Sequence, residues 1–266
     1  MNSTRRYAWA GWIILGCLLL VTGGCEKLRA RDELNKGVSA YKAAKYPIAI
    51  EHFKNAVELD PSLLNAKLYL ATAYANQYVP GSEMEDNVKM AEQAISEFQE
   101  VLKENPGNVG SITGIANLYF QMKRMDEAKQ YYKKQIELDP TNPESYYSVG
   151  VIDWTQSYQP RMELKSRLGI PPDAPIKDTK ARDELAAKNT PSIEEGMNSL
   201  TKAMQLREDY DDAMAYMNLL YREKADLEDS NDKREEDLKK ADKLMADTLE
   251  IKKKKAQKPA TTHPTE

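Results

Sequence analysis

The sequence predicts an all-α protein: an α-solenoid of about five helix-turn-helix repeats with a long insertion in the fourth. Three observations predict it. Residues 30–63 and 109–142 superpose without gaps as two units of 34 residues, ending Leu59-Asp60-Pro61 and Leu138-Asp139-Pro140. Small residues recur at two fixed offsets inside each unit, and a bulky apolar residue follows the second of them. Charged residues make up 30% of the chain, aromatics 8%, and there are only 12 Gly, which suits helices better than a β-sandwich or a Gly-rich nucleotide fold. A fixed period of this length marks stacked supersecondary units, none of which can bury its apolar face alone.

Residues 1–24 read as an export signal. Arg5 and Arg6 precede an uncharged run from Tyr7 to Gly24, and polar sequence starts at Glu26. A basic start, an apolar centre and small residues before a processing point are the marks of such a segment. Thr22-Gly23-Gly24 followed by Cys25 resembles the lipobox of bacterial lipoproteins, in which cleavage precedes a cysteine that carries the acyl chains. The resemblance implies lipidation of Cys25, with residues 25–29 as the lipidated cysteine and a short tether. It departs from the family at Thr22, where Leu is usual. Cys17, in Leu15-Gly16-Cys17, is an alternative acceptor that would leave Leu18 to Val21 at the mature end. An uncleaved signal anchor is a further alternative: the 18 uncharged residues sit at the short end of a spanning helix. Arg5 and Arg6 would then keep the N-terminus inside. Every version places the body outside the cytoplasm, in the periplasm of a Gram-negative-type envelope. Glu26 rather than Asp after the cysteine implies, by the same resemblance, the outer membrane.

The repeat region spans 30–255, in units 30–63, 64–108, 109–142, 143–210 and 211–252. The first small position reads Gly37, Ala71, Ala116, Gly150 and Asn218, and the second Ala49, Ala94, Ala128, Gly196 and Ala241. The bulky position reads Phe53, Phe98, Tyr132, Leu200 and Met245. Small residues let two helix axes approach, and the bulky side chain fills the seam with apolar area. Pro61, Pro106 and Pro140 lack an amide hydrogen and restrict the residue before them, so the second helix ends; Glu208 replaces Pro in the fourth unit. This combination resembles the tetratricopeptide-repeat (TPR) family. The resemblance implies a superhelix whose concave groove is lined chiefly by the first helix of each pair.

Three units are lengthened. The second is stretched around Tyr78 to Val88, and the fifth has an acidic excursion around Asp226 to Glu236. The fourth is twice the normal length, with an insertion at 156–190 that holds Pro160, the run Pro171-Pro172-Asp173-Ala174-Pro175 and a polar helical stretch near Thr179 to Lys188. Two eroded repeats are the alternative there, but that register puts Met162 and Glu184 at close helix crossings. Lys252 to Lys255 fall where a cation complements a helix dipole, or where a basic foot meets anionic lipid. Residues 256–266 read as a disordered tail.

The formal net charge is −4, and beyond residue 24 it is 36 basic against 42 acidic residues, which argues against nucleic acid as a partner. No phosphate-cradling Gly-rich loop occurs. His52 and His263 are the only histidines and Cys17 and Cys25 the only cysteines, so no catalytic set, metal site or cofactor is expected. Binding remains. The TPR resemblance assigns groove positions to Tyr41, Lys42, Asn76, Asn117, Phe120, Gln121, Tyr147 and Trp154. Amide side chains can hold an extended backbone, and aromatic rings supply rigid contact area. The Lys/Asn/Arg clamp with which some TPR proteins grip a C-terminal carboxylate is absent, because Leu34, Val38, Gly110 and Gly114 occupy its places. The expected function is a membrane-anchored periplasmic adaptor or scaffold that binds a polypeptide during envelope assembly. Alternatives are a glycan or small-molecule binding subunit, and a component of outer-membrane protein, pilus or secretin assembly.

Overall fold

The computed structural model describes residues 25–257. The expected export signal (1–24) and residues 258–266 of the expected tail lie outside the described residues. The described residues form ten helices and no strand, as expected for an α-solenoid of TPR repeats. Two compact units meet in sequence at Arg124 and Met125.

The first unit contains α1 (25–42), α2 (Tyr46–Leu59), α3 (Leu64–Gln77), α4 (Glu85–Glu104) and α5 (Val109–Gln121). Residues 25–29, expected as a tether, are instead the opening turns of α1, where the fully buried Ala30 fixes the helix against the body. Close approach is visible at Gly37: a Cβ placed there would stand 2.4 Å from the ring of Phe53, which is itself fully buried. Gly114 meets Phe98 in the same way at 2.5 Å. The Leu-Asp-Pro endings hold a second device besides proline. Asp60 Oδ1 accepts from the Ser62 amide (3.1 Å) and hydroxyl (2.6 Å), and this holds its carboxyl below the ordinary range. Asp139 does the same for Thr141 in the second unit. The aspartate thus closes the turn that the proline starts. Of the stretch 78–88, residues 78–84 form a loop and the rest opens α4; Asn87 in that first turn ties the loop, its side chain accepting from the Val79 amide (2.7 Å) and donating to the Val79 and Ser82 carbonyls.

The second unit contains α6 (Met125–Leu138), α7 (Pro143–Arg167), α8 (Thr179–Leu206), α9 (Asp211–Ala225) and α10 (Asn231–Gln257). α7 starts with Asn142 accepting from the Glu144 amide at 2.9 Å and Pro143 in its first turn. Asp178 caps α8 by accepting from the Ala181 amide at 3.0 Å. The extra length of residues 143–210 goes into the two helices rather than into a loop. α7 runs for 25 residues through Pro160 and α8 for 28 through Pro191, so that only 168–178 is a connection. An interior proline costs a helix about 3 kcal/mol. Here the helix survives because its arm is packed: Leu164, Ile176 and Leu185 form a buried cluster with Ile170, Ala181 and Leu227 against it. Below the arm, Gly150 faces Leu200, with a virtual Cβ 2.4 Å from Leu200 Cγ. Gly196 is wedged between Asp153 and Leu220 at 2.8 and 2.9 Å.

Two expectations fail near the C-terminal end. Met245, read as the seam filler of the last unit, is 39% exposed, and its neighbour Leu244 packs against the core instead, because α10 presents a face one residue away from the repeat register. Ala256 and Gln257, placed in the tail, are the last residues of α10. Lys255 there donates to the Asp209 carbonyl (2.7 Å) and to Asp211 (2.6 Å), and Lys252 lies 3.4 Å from Asp212, so part of the lysine run clamps α10 to the start of α9.

The acidic excursion after α9 is not a solvated stretch throughout. Asp226 is buried, and with Glu223 it binds two cations of the α7 arm. Arg161 donates to Glu223 (2.6 Å) and Asp226 (2.9 Å), while Lys165, 1% exposed, pairs with Asp226 and donates to the Pro172 carbonyl at 2.6 Å. Burial pushes the Glu223 carboxyl up and the Lys165 ammonium down from their ordinary values, in spite of these partners. Desolvation therefore opposes the cluster, and complete pairing is what keeps it tolerable.

Two outcomes follow from this packing. Gly150→Ala gains about 1 kcal/mol of helix propensity but drives a methyl into the branched carbon of Leu200, where overpacking costs roughly 1–3 kcal/mol. A lower melting temperature by circular dichroism is expected, and a raised one would show that the crossing is loose. Asp226→Asn leaves Arg161 and Lys165 short of a counter-charge in a buried place, a change worth roughly 3–5 kcal/mol. Urea unfolding should show that loss, whereas a midpoint shift equivalent to less than about 1 kcal/mol would mean the arm is held by its apolar cluster alone.

Candidate functional site

The eight residues assigned to the groove fall on the first helices of their pairs, and each unit groups its own. In the first unit Tyr41 and Lys42 lie at the end of α1, Asn76 on α3, and Asn117, Phe120 and Gln121 on α5. Tyr41 and Asn76 are brought into contact: the amide donates to the phenol oxygen at 2.6 Å and to the Thr72 carbonyl at 3.0 Å. Tyr41 also meets Tyr46 and Tyr69 edge-on, at 5.5 and 6.4 Å between centroids. Tyr69 in turn stacks on the buried Phe53 at 5.5 Å. The face therefore has a rigid aromatic base, with the Asn76 carbonyl oxygen and the exposed Lys42 at its edge. Asn117 and Gln121 are exposed one helical turn apart on α5, with Phe120 half-buried beside them.

In the second unit Tyr147 and Trp154 are linked through a third ring. Both meet Tyr216 of α9, at 5.6 and 5.3 Å, and Trp154 continues to Tyr158 at 5.1 Å. Tyr147 also contacts Tyr210 at 5.1 Å. The result is a ladder of half-buried rings, Tyr147, Tyr216, Trp154 and Tyr158, along one side of α7. Burial pushes the Tyr147 phenol up from its ordinary pKa, so it stays neutral. The Trp154 indole N–H is shielded and has no acceptor. Tyr147 and Trp154 thus serve two ends: they pack on the α8–α9 core and leave part of each ring outward.

The ladder leads to a pocket of about 530 Å³ bounded by Tyr158, Arg161 and Met162 of α7, the 172–173 turn, the end of α9 and the start of α10. A second depression, about 590 Å³, lies among α6, α7 and α8 and is lined by Thr155, Gln156, Gln159, Asn189 and Ser192 together with Lys129. At its floor Lys129 pairs with both Asp153 and Glu195. Burial raises Asp153 to about 6 although Lys129 is its partner. Among the described residues no group of His, Cys, Asp and Glu is placed to hold a metal ion, and no helix is long and apolar enough to cross a membrane. Cys25 is exposed at the first described residue of α1.

Sequence reasoning missed Tyr158, Tyr216 and the four-charge cluster of the arm. Tyr158 stands four residues after Trp154, the spacing of one helix face, and was hidden because it falls inside the insertion expected at 156–190. Arg161 with Lys165, and Glu223 with Asp226, show helical spacing of opposite charge on two first helices. That is a readable signal once both segments are taken as continuous helix.

Profiles of the tetratricopeptide repeat match residues 34–78 and 89–149. Tetratricopeptide repeat protein 8 of Mus musculus is 28% identical over 114 residues, covering 43% of this chain and 20% of the relative. Hsp70-Hsp90 organizing protein 3 of Arabidopsis thaliana is 28% identical over 115 residues, 43% of this chain and 19% of its own length. The chain thus spans about a fifth of these curated relatives. A crystal structure of MamA superposes with a TM-score of 0.59 at 14% identity, over 89% of this chain and 98% of that one. YrrB, described as a TPR protein with an unusual peptide-binding site, gives 0.52 at 16% identity over 83% and 90%. At these identities the solved structures speak for the fold. The chain contains tetratricopeptide repeats, set in an all-helical fold of the same kind as MamA and YrrB.

Proposed function

We propose that this protein is an exported, lipid-anchored adaptor that binds a polypeptide on the first-helix faces of its repeats during envelope assembly. The observation that carries the binding role is the ring ladder of α7 and α9, in which four aromatic side chains are held rigidly while staying partly exposed. Fixed rings lose little entropy on contact, and aromatic residues dominate binding energy where they line an interface. The amide-edged face around Tyr41 and Asn76 supplies the complementary chemistry for a peptide backbone. The peptide-binding site described for YrrB and the organizing role in the names of the plant relatives support the same direction.

Export and anchoring rest on Arg5, Arg6, the uncharged run to Gly24 and Cys25. Residues 25–42 are helical, so an acylated Cys25 would hold the body close to the bilayer with no flexible spacer between acyl chains and repeats. The periplasm and the outer membrane are part of this proposal. One acyl group alone anchors weakly, so a multiply acylated cysteine is what stable attachment needs. A second reading, a glycan-binding subunit, has its own observation in the amide- and hydroxyl-lined depression of Gln156, Gln159, Asn189 and Ser192.

Crosslinking in intact cells tests the adaptor role. Trp154→Ala and Tyr147→Ala, each checked for unchanged helicity, should reduce capture of the partner about tenfold, the loss of one strong contact. Undiminished capture by both folded variants would remove the ladder from the interface, and a Gln159→Ala variant that instead lost envelope sugar binding would favour the second reading. Metabolic labelling with palmitate should mark the wild type and not Cys25→Ser; label retained by the variant would move the acylated site elsewhere.

A further inference from the structure

The pocket at the end of the ladder holds two arginines that its own partners satisfy only in part. Three arginines and two aspartates line it, Arg161, Arg222 and Arg234 with Asp173 and Asp226. Arg161 is consumed by Glu223 and Asp226. The other two are not. Arg234 donates to the Asp173 carbonyl at 3.2 Å and stands 3.9 Å from Asp226, and its shielded Nε has no acceptor. Arg222 donates to Asn218 at 3.0 Å and to Asp242 at 2.6 Å, but the Asp242 side chain is 70% exposed. An ion pair in so much water is worth under about 1 kcal/mol and is easily exchanged.

We infer that this pocket takes an acidic side chain of the bound polypeptide, received by Arg222 and Arg234, with a neighbouring apolar residue against Tyr158, Met162 and Leu238. The inference rests on the polypeptide-binding reading given above and names the partner's chemistry. A guanidinium presents paired donors at the spacing of a carboxylate. The volume of about 530 Å³ holds one or two side chains, and the walls offered by Tyr158, Met162 and Leu238 are apolar. Arg161 and Lys165 are balanced by Glu223 and Asp226, so an incoming carboxylate is received by taking the place of the exposed Asp242 on Arg222 and by meeting the incompletely bonded Arg234. The site is made by the α7 arm and the α9–α10 junction, away from the first-helix positions of the missing Lys/Asn/Arg clamp.

The test is calorimetric titration of the full-length chain in detergent with a blocked hexapeptide of alternating Leu and Asp, and with its Leu and Asn isostere. The acidic peptide should bind at least tenfold tighter than the isostere. Arg222→Gln/Arg234→Gln should abolish that preference, and Arg222→Lys/Arg234→Lys should keep part of it, because charge survives while the fork is lost. Thermal melting of each variant checks the fold, and Arg207→Gln, which removes an exposed ion pair to Glu144, controls for general charge. Equal binding of the two peptides, an unchanged preference in the Gln double variant, or displacement of the peptide by equimolar inorganic phosphate would each overturn the inference. Equal, measurable binding of both peptides would leave the polypeptide-binding reading standing, whereas binding of neither would count against both.

Discussion

Everything in this molecule depends on how near two helix backbones can come. At Gly37, Gly114 and Gly150 the facing side chain lies where a Cβ would be, at 2.4 to 2.5 Å. Leu200 and Phe53, the side chains seated on two of these glycines, are completely buried. Burying such a residue is worth about 1.5–3 kcal/mol, a sizeable share of the net stability of any domain. Glycine in a helix weakens it by up to about 1 kcal/mol relative to alanine. The exchange favours close approach, and it fixes both the position of each first helix and the side that each leaves uncovered. Three rings of the ladder, Tyr147, Trp154 and Tyr158, lie on the helix placed by Gly150, and Tyr216 meets Tyr147 and Trp154 from α9.

The α7 arm solves a different problem. A helix that outruns its repeat has no neighbouring pair to cover it, and the arm obtains cover from two sources. Leu164, Ile176 and Leu185 supply apolar area, and the Arg161–Glu223–Asp226–Lys165 cluster supplies direction. A hydrophobic contact tolerates sliding; four charges whose desolvation must be matched partner by partner do not. The cluster also brings Arg161 beside Tyr158, 5.5 Å from the ring centroid, so the same residues that hold the arm extend the aromatic surface. Stability and binding surface share one set of side chains there.

The repeat grammar was legible because it is steric. Small, small, bulky and proline at fixed offsets leave few other folds, and Gly37, Phe53, Gly150 and Leu200 stand where the pattern puts them. What was hidden is instructive. The stretch around Pro160 reads as an insertion, since the local cost of proline is known while the tertiary cover of the arm is not. Asp226 reads only as the start of an acidic excursion, since burial of a charge is visible only when its partners on α7 are placed. Met245 fails for a simpler reason: one residue of rotation on a helix is beyond the precision of a repeat register. The aspartate of Leu-Asp-Pro was present in the motif, yet its bond to the residue two places on appears only in the folded turn. At the candidate site the groove assignments identified the right helices. They named Tyr147 and Trp154 but not Tyr216, the ring through which the two communicate.

That division has a physical basis. Contacts within one helix pair are set by spacing along the chain, so sequence offsets carry them. A contact between α7 and α9 joins residues some sixty positions apart, as Arg161 and Glu223 do at a separation of 62, and its geometry depends on the length of everything between. Repeat proteins keep their stability in the first kind of contact, which each unit can make with its neighbour. The second kind is where this chain departs from a regular array, through the lengthened α7 and α8. The end of the ladder at Tyr158 and the arginine-lined pocket are both built from the lengthened stretch, so that part of the surface lies where the repeat pattern is broken, and a strictly regular solenoid would lack it.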